Sequence, residues 1–149
     1  MPARDIYHTP IRNALEKDGW KITHDPYRIK LSRGKNLFVD LGAERLIAAQ
    51  RDGQTIAVEI KSFRSASDMK DLEEALGQFT LYRQLLKRYD PNRTIYLAVP
   101  DNVRLSVFEE EAGRILIEDG FLQVISVDID REVIVSWIPE LCETLPKLS

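Results

Sequence analysis

The chain has 149 residues, of which 44% are hydrophobic and 30% charged, which is the size and balance of one globular domain. No apolar run approaches the roughly 20 residues of a membrane span and no signal peptide begins the chain, so we expect neither a membrane protein nor a secreted one. The net charge of −3 argues against tight, unaided coating of duplex DNA. A single cysteine, Cys142, excludes an internal disulfide and fits a reducing cytoplasm, and its apolar neighbours predict a small buried or half-buried hydrophobe.

The chain opens with the pattern of one helix followed by short extended segments. Asp5 to Lys17 has the apolar periodicity of an amphipathic helix, which Gly19 ends. Trp20 to His24 predicts a short strand. Residues 27–38 are irregular or hold another strand, with a turn at 32–34.

The clearest structural prediction is a β-hairpin in the middle of the first half. Arg45 to Gln50 and Thr55 to Phe63 are apolar and strand-like, and the segment between them contains Asp52-Gly53. An Asp-Gly pair between two such runs is the strongest short-range signal of a tight hairpin.

That hairpin has a definite register if Asp52 and Gly53 are its two loop residues. Residue 51 then faces residue 54, and Glu44 lies opposite Lys61. Glu44, Glu59 and Lys61 would share one face at the open end of the hairpin.

The second half of the chain predicts a parallel crossover and a further hairpin. Residues 68–89 form a long helix capped by Ser67 or Asp68, and Thr94 to Val99 form a β-branched strand, so a right-handed crossover joins this strand to the one at 55–63. The remaining predicted elements are a helix over about 102–119 and strands over 121–128 and 132–138. The expected fold is α/β, a single domain over residues 1–149 with helices on the faces of a mixed sheet.

The run Ala57-Val58-Glu59-Ile60-Lys61-Ser62 is the most informative feature for function. Alternate residues of a strand point to the same face, so Glu59 and Lys61 emerge together while Val58 and Ile60 face the core. Two charges in such a run are costly unless they are paired, and a divalent cation with a phosphate would justify them. This is the arrangement of metal-dependent phosphodiester nucleases.

A cation at Glu59 needs a second carboxylate, and two residues compete for that role. Mg²⁺ or Mn²⁺ is the expected ion, because magnesium takes oxygen ligands and is held by one or two protein carboxylates. The hairpin register favours Glu44. Asp40 lies four residues before Glu44, so in a strand its side chain would point to the same face, and it follows an apolar run. Both alternatives stay open.

Other side chains are candidates for the same chemistry. Gln78 on the long helix, with Tyr82 one turn later, could bind a phosphate or a water at the site. Four basic residues lie within a stretch of eight that has no acid between them, and we expect them to contact DNA phosphates: Arg28, Lys30, Arg33 and Lys35.

These residues resemble the pattern of the PD-(D/E)xK nuclease-like superfamily. The match consists of an acid at Asp40 or Glu44, the run Val58 to Ser62, and Gln78 on the next helix. The resemblance implies a restriction-endonuclease-like mixed β-sheet with an α-β-β-β-α-β core, followed here by a C-terminal helix and β-hairpin. The spacing from Asp40 to Glu59 is longer than in resolvases of this group, so Glu44 could stand in for Asp40.

Nearly the whole chain also resembles the XisH family, the fdxN element excision controlling factors of cyanobacteria. The resemblance implies a role in controlling site-specific DNA excision during heterocyst differentiation, alongside an XisI-like companion protein and a separate recombinase. The segments that carry it are Arg4-Asp5-Ile6-Tyr7-His8, Trp20-Lys21-Ile22-Thr23-His24-Asp25-Pro26, Val39-Asp40-Leu41-Gly42-Ala43-Glu44, Ile56-Ala57-Val58-Glu59-Ile60-Lys61-Ser62-Phe63 and Tyr96-Leu97-Ala98-Val99-Pro100.

Two functions fit these patterns. The first is a metal-dependent, resolvase-like endonuclease that acts in element excision, with a homodimer addressing two strands. The alternative is a non-catalytic accessory factor on a nuclease-like scaffold, which binds the companion protein, DNA or both. The Glu59-x-Lys61 motif supports the first, and the acidic net charge supports the second.

Overall fold

The computed structural model describes residues 5–45 and 53–140, and Cys142 lies outside them. Within these residues the chain forms an α/β fold with two separate β-sheets. The elements are α1 (His8–Lys17), β1 (Lys21–His24), β2 (Tyr27–Lys30), a 3-10 turn (Ser32–Gly34), β3 (Asn36–Val39), β4 (Leu41–Arg45), β5 (Gln54–Ile60), α2 (Asp68–Tyr89), β6 (Arg93–Pro100), α3 (Asp101–Ser106), α4 (Glu111–Glu118), β7 (Val124–Asp128) and β8 (Val133–Ile138).

The main sheet has six strands in the order β1-β4-β5-β6-β7-β8. The pairs β5–β6 and β6–β7 are parallel, and the other three pairs are antiparallel. The predicted mixed sheet, the parallel connection through the long helix and the C-terminal hairpin are confirmed. None of the helices in the described part of the chain is long and apolar enough to cross a bilayer.

Hydrophobic clusters cover both faces of this sheet, and alternate residues of β5 belong to one cluster or the other. Val58 and Ile60 lie in the cluster that contains α1 residues, as predicted for the core-facing pair. Ala57 lies in the other cluster, with α2 residues such as Phe79. Glu59 lies two residues after Ala57 in the same strand, so its side chain points to the same face of the sheet, which α2 covers.

The second sheet is a two-stranded hairpin of β2 and β3, which the sequence left open as irregular or strand. Tyr27 pairs with Val39 at its base and Lys30 with Asn36 near its turn. Its inner residues Ile29 and Val39 belong to the α2-side core cluster. The hairpin is therefore fixed to the body of the protein along one face.

The prediction of one helix over 102–119 is wrong, because this segment forms the two helices α3 and α4. Gly113 of α4 packs directly against the end of α3, where a Cβ on Gly113 would lie 2.3 Å from the Val107 carbonyl oxygen. Such a close approach needs a bend between the two segments, which a single straight helix cannot supply.

The predicted register of the first hairpin is also wrong. Gln54 pairs with Arg45, not with residue 51, and Glu44 pairs with Thr55, not with Lys61. The strand before the turn begins at Leu41 rather than Arg45, and residues 46–50 and Asp52 of the predicted strand and turn lie outside the described residues. The Asp-Gly pair is a local signal, whereas the register follows the apolar residues 41–43, which are buried against the core.

Candidate active site

Strand β5 delivers Glu59 and Lys61 to one place at its carboxyl end, as predicted. The Lys61 Nζ lies 3.7 Å from Glu59 Oε2. Glu59 is only 7% exposed, because β5 is an interior strand with helices over the sheet. The ammonium is more accessible, with 24% of its side chain exposed. The pair thus joins a buried carboxylate to a cation at the surface.

Asp40 completes the carboxylate pair. It lies between β3 and β4, and continuing the observed register by one residue from the Leu41–Val58 pair places it across from Glu59. Its Oδ2 accepts a hydrogen bond of 2.7 Å from the Ile60 backbone N–H. The backbone N–H of Ile60 therefore holds the Asp40 carboxylate beside that of Glu59.

Burial makes it costly for both carboxyl groups to be ionised at once. Desolvation, then the neighbouring charge of Asp40, raises the pKa of Glu59 from its ordinary 4.5 to about 8, against the opposing effect of Lys61. Burial also raises the pKa of Asp40, although the Ile60 N–H and the charges of His8 and Lys61 oppose this. Two adjacent carboxyl groups, one buried and one half-buried, favour a bound proton or a bound cation.

Helix α2 packs on the face of the sheet to which Glu59 points, and it carries on consecutive turns the two polar side chains that the sequence singled out together, Gln78 and Tyr82. The Gln78 Oε1 is buried without a hydrogen-bond partner among the described residues, and so is the Glu59 Oε1. Burial, together with the negative charges of Glu59 and Asp40, raises the pKa of Tyr82 to about 12. Tyr82 therefore stays protonated and can donate a hydrogen bond, while one buried oxygen each of Glu59 and Gln78 lacks a partner among the described residues.

Glu44 is not brought to this site. It pairs with Thr55, four residues before Glu59, and this corresponds to about 13 Å along the strand. On its other side it pairs with Lys21 at the edge of the sheet. The structure therefore groups Asp40, rather than Glu44, with Glu59 and Lys61.

The four basic residues predicted to contact DNA lie together on the β2–β3 hairpin and its turn. Arg28, Lys30, Arg33 and Lys35 are all exposed. No ion pair or side-chain hydrogen bond joins any of them to another described residue. This hairpin ends at Val39, so its base adjoins Asp40 directly in the chain.

A polar network on the α1 side of Asp40 was not assigned to the site from sequence. His8 is 4% exposed, and its Nε2 lies 2.8 Å from Asp25 Oδ1, which fixes the ring. Arg12 also donates to Asp25. The charge of His8 lowers the pKa of Asp40 and that of Asp5 raises it, so both groups act on the site. The one-turn spacing of Asp5 and His8 was the only signal in the sequence.

The described residues contain no group of three or more His, Cys, Asp or Glu side chains arranged to hold a metal ion. The available protein ligands at the site are therefore the two carboxylates of Asp40 and Glu59. Two carboxylates are within the usual number for magnesium, which keeps several waters in its shell.

Comparisons with known proteins place this chain in a family. The family model described as XisH protein matches residues 1–135. An XisH family protein from Nostoc punctiforme PCC 73102 is 39% identical, with a TM-score of 0.79, and the match covers 90% of this chain and 99% of that one. An fdxN element excision controlling factor protein from Anabaena variabilis is 38% identical, with a TM-score of 0.78 and coverage of 91% and 99%.

No functionally curated protein matches the chain. The family model nevertheless spans Asp40, Glu59, Lys61 and the basic hairpin, and the two solved structures share the fold over nine-tenths of the chain. On this evidence the chain is a member of the XisH family.

Proposed function

We propose that this protein is a metal-dependent DNA phosphodiesterase that acts in the controlled excision of a DNA element. The observation that carries the proposal is the pair of half-buried Asp40 and buried Glu59 beside the Lys61 ammonium, in which the Glu59 Oε1 has no hydrogen-bond partner among the described residues. The excision role follows the description of the Anabaena variabilis relative. The superfamily resemblance of the Glu59-x-Lys61 run supports the phosphodiesterase chemistry.

The residues present fit a divalent cation. Two carboxylates that disfavour joint ionisation are stabilised together when a cation lies between them, because it replaces their mutual repulsion by attraction. The buried Glu59 Oε1 has no donor among the described residues, and a cation or its bound water would satisfy it. Asp40 and Glu59 would hold Mg²⁺ or Mn²⁺, which would polarise the phosphate and activate a water.

The chain's own groups have separable roles in this chemistry. Glu59 must lose its proton before it can serve as a ligand, so its raised pKa means that a cation competes with that proton for the carboxylate. Lys61 is exposed enough to contact a phosphate or the attacking water as a point charge. Gln78 can orient a water or a phosphate oxygen through its amide, and Tyr82 can donate a hydrogen bond from its hydroxyl.

DNA would reach the site along the β2–β3 hairpin. The exposed cations Arg28, Lys30, Arg33 and Lys35 supply phosphate contacts next to Asp40. A companion protein of the XisI kind and a site-specific recombinase are the partners that the family resemblance suggests. A homodimer would give two such sites for two strands.

A second function, that of a non-catalytic accessory factor, is favoured by one observation. The net charge of −3 limits the affinity of the isolated chain for DNA, so a partner would have to supply affinity. On this reading the acidic pair is a structural cation site, and Lys61 neutralises Glu59.

A cleavage assay separates the two functions. The protein is incubated with supercoiled, linear and four-way-junction DNA, with Mg²⁺, Mn²⁺ or EDTA. The variant is Lys61→Ala, and the matched control is Lys70→Ala, an exposed lysine on α2. We expect cleavage that needs metal and Lys61 but not Lys70. No cleavage of any substrate, with and without the companion protein, would favour the accessory factor.

A direct measurement of Mn²⁺ binding tests the site itself. Glu59→Ala is expected to abolish binding, whereas Glu16→Ala, on the surface of α1, is expected to retain it. Equal loss in both variants would show that the ligands are elsewhere.

A further inference from the structure

The outer face of the β2–β3 hairpin carries an aromatic side chain among its cations. In a two-stranded hairpin alternate residues share a face, so Phe38 and Asn36 lie on the side opposite to the buried Ile29 and Val39. Phe38 pairs with Arg28 and Asn36 with Lys30, and all four are exposed. The outer face is therefore one exposed phenylalanine, one amide and two cations.

Phe38 has no packing role that accounts for it. It is 37% exposed, and it is absent from both hydrophobic clusters and from all ring–ring contacts of the described residues. Its neighbours Leu37 and Val39, by contrast, pack on the α2-side cluster. A phenyl ring that is more than one-third exposed beside cations without an ion pair among the described residues is available to a ligand that has both a flat apolar face and a negative charge.

The hairpin is basic, whereas the rest of the chain has a net negative charge. Residues 26–39 contain four basic side chains and no acidic one. The net charge of −3 includes these four, so the remainder of the chain carries −7. A polyanion is therefore attracted to this hairpin more than to the remainder of the chain, whose net charge is negative.

The hairpin is also held rigidly, which a binding platform requires. The Tyr27 hydroxyl at its base donates a 2.7 Å hydrogen bond to Asp90 Oδ2, and the Arg93 guanidinium lies 4.3 Å from the Tyr27 ring centroid. Arg93 is itself bound to Asp90 and to the Ile56 carbonyl oxygen of β5. These contacts fix the outer face relative to the strand that carries Glu59.

We propose that Phe38 stacks on an unpaired base of DNA whose phosphates are bound by Arg28 and Lys30, so that the substrate contains a single-stranded segment. Aromatic rings stack on bases of any sequence, but a base inside a duplex is not accessible to them. This inference rests on the proposed function, because it names the class of DNA that reaches the Asp40–Glu59 site. Phe38 is two residues from Asp40, so the stacked base would lie next to the reacting phosphate.

The test is a binding measurement in EDTA, so that cleavage plays no part. Fluorescence anisotropy is recorded for a labelled single-stranded oligonucleotide and for the blunt duplex of the same sequence. Phe38→Ala is expected to weaken single-strand binding between about fivefold and a hundredfold and to leave duplex binding within about twofold. Phe38→Trp is expected to retain or improve single-strand binding.

The matched control is Phe121→Ala, which removes an equally large ring that is 51% exposed outside the hairpin. It should bind both oligonucleotides as the wild type does. Arg28→Ala should weaken both oligonucleotides to a similar degree, since phosphates are present in each. For four phosphate contacts the logarithm of single-strand affinity should fall with the logarithm of salt with a slope of roughly −3.

Equal losses on single strand and duplex in Phe38→Ala, no loss on either, or a wild type that binds neither oligonucleotide would overturn the inference. The proposed function is judged separately, by metal-dependent cleavage and its loss in Lys61→Ala. A protein that cleaves only duplex DNA and binds single strands independently of Phe38 would thus retain the proposed function and refute the stacking role.

Discussion

Replacing Glu59 by glutamine should change how the stability of the protein depends on pH. Glutamine keeps the shape of the side chain but cannot ionise. In the wild type, burial and the charge of Asp40 raise the pKa of Glu59 from 4.5 to about 8, so the folded state holds a proton that the unfolded chain releases. A group whose pKa is raised by folding stabilises the folded state fully at low pH. This stabilisation is lost as the pH rises through the folded value.

The magnitude follows from these two pKa values. Between about pH 5.5 and about pH 8 the unfolded chain has already lost the proton while the folded chain is still losing it. At about 1.4 kcal/mol per pH unit, the free energy of unfolding falls by about 3 kcal/mol over this interval. Asp40, whose pKa is also raised by burial, acts in the same direction. In Glu59→Gln the fall should be largely absent.

The assay is urea unfolding in EDTA, followed by tryptophan fluorescence at the two pH values. The control is Glu44→Gln, a substitution on the neighbouring strand that should preserve the wild-type pH dependence. Excess Mg²⁺ at the higher pH should restore stability to the wild type by about 3 kcal/mol at a hundredfold excess over its dissociation constant, and should leave Glu59→Gln unchanged. A wild type whose stability is flat or rises over this interval, relative to Glu59→Gln, would refute the reasoning.

Four further substitutions test the scaffold by urea unfolding. Phe79→Ala, at a fully buried position, should cost about 3–5 kcal/mol, and a loss below about 1 kcal/mol would mean that α2 does not pack there. Ser67→Ala removes the side-chain cap of α2, whose oxygen accepts from the Lys70 N–H, and should cost about 1 kcal/mol, whereas Ser67→Asp should retain stability. Gly42→Ala places a Cβ 3.0 Å from the Tyr27 ring, so we expect a loss of about 1–3 kcal/mol, and an unchanged midpoint would show that the hairpin base yields freely. Tyr27→Phe removes the hydrogen bond to Asp90 and should cost about 1 kcal/mol, measured against Tyr89→Phe as an exposed control.

Patterns that depend on residues close together in the chain were sufficient to predict most of the helices and strands. The long helix agrees with its prediction at both ends, because Ser67 caps it and the segment after Tyr89 cannot continue it. The side-by-side placement of Glu59 and Lys61 follows from strand alternation alone, and the structure confirms it at 3.7 Å. Such features depend only on residues that are close together in the chain.

The sequence by itself thus determined the α/β class, the long helix and the shared face of Glu59 and Lys61. Only the tertiary structure decided that Asp40, and not Glu44, lies beside them, because the register of β4 against β5 is set by burial of residues 41–43 on a distant core. The exposure of Phe38 among cations was likewise decided by which face of its hairpin packs on the protein. Both outcomes depend on contacts between residues far apart in the chain, and local patterns do not specify those contacts.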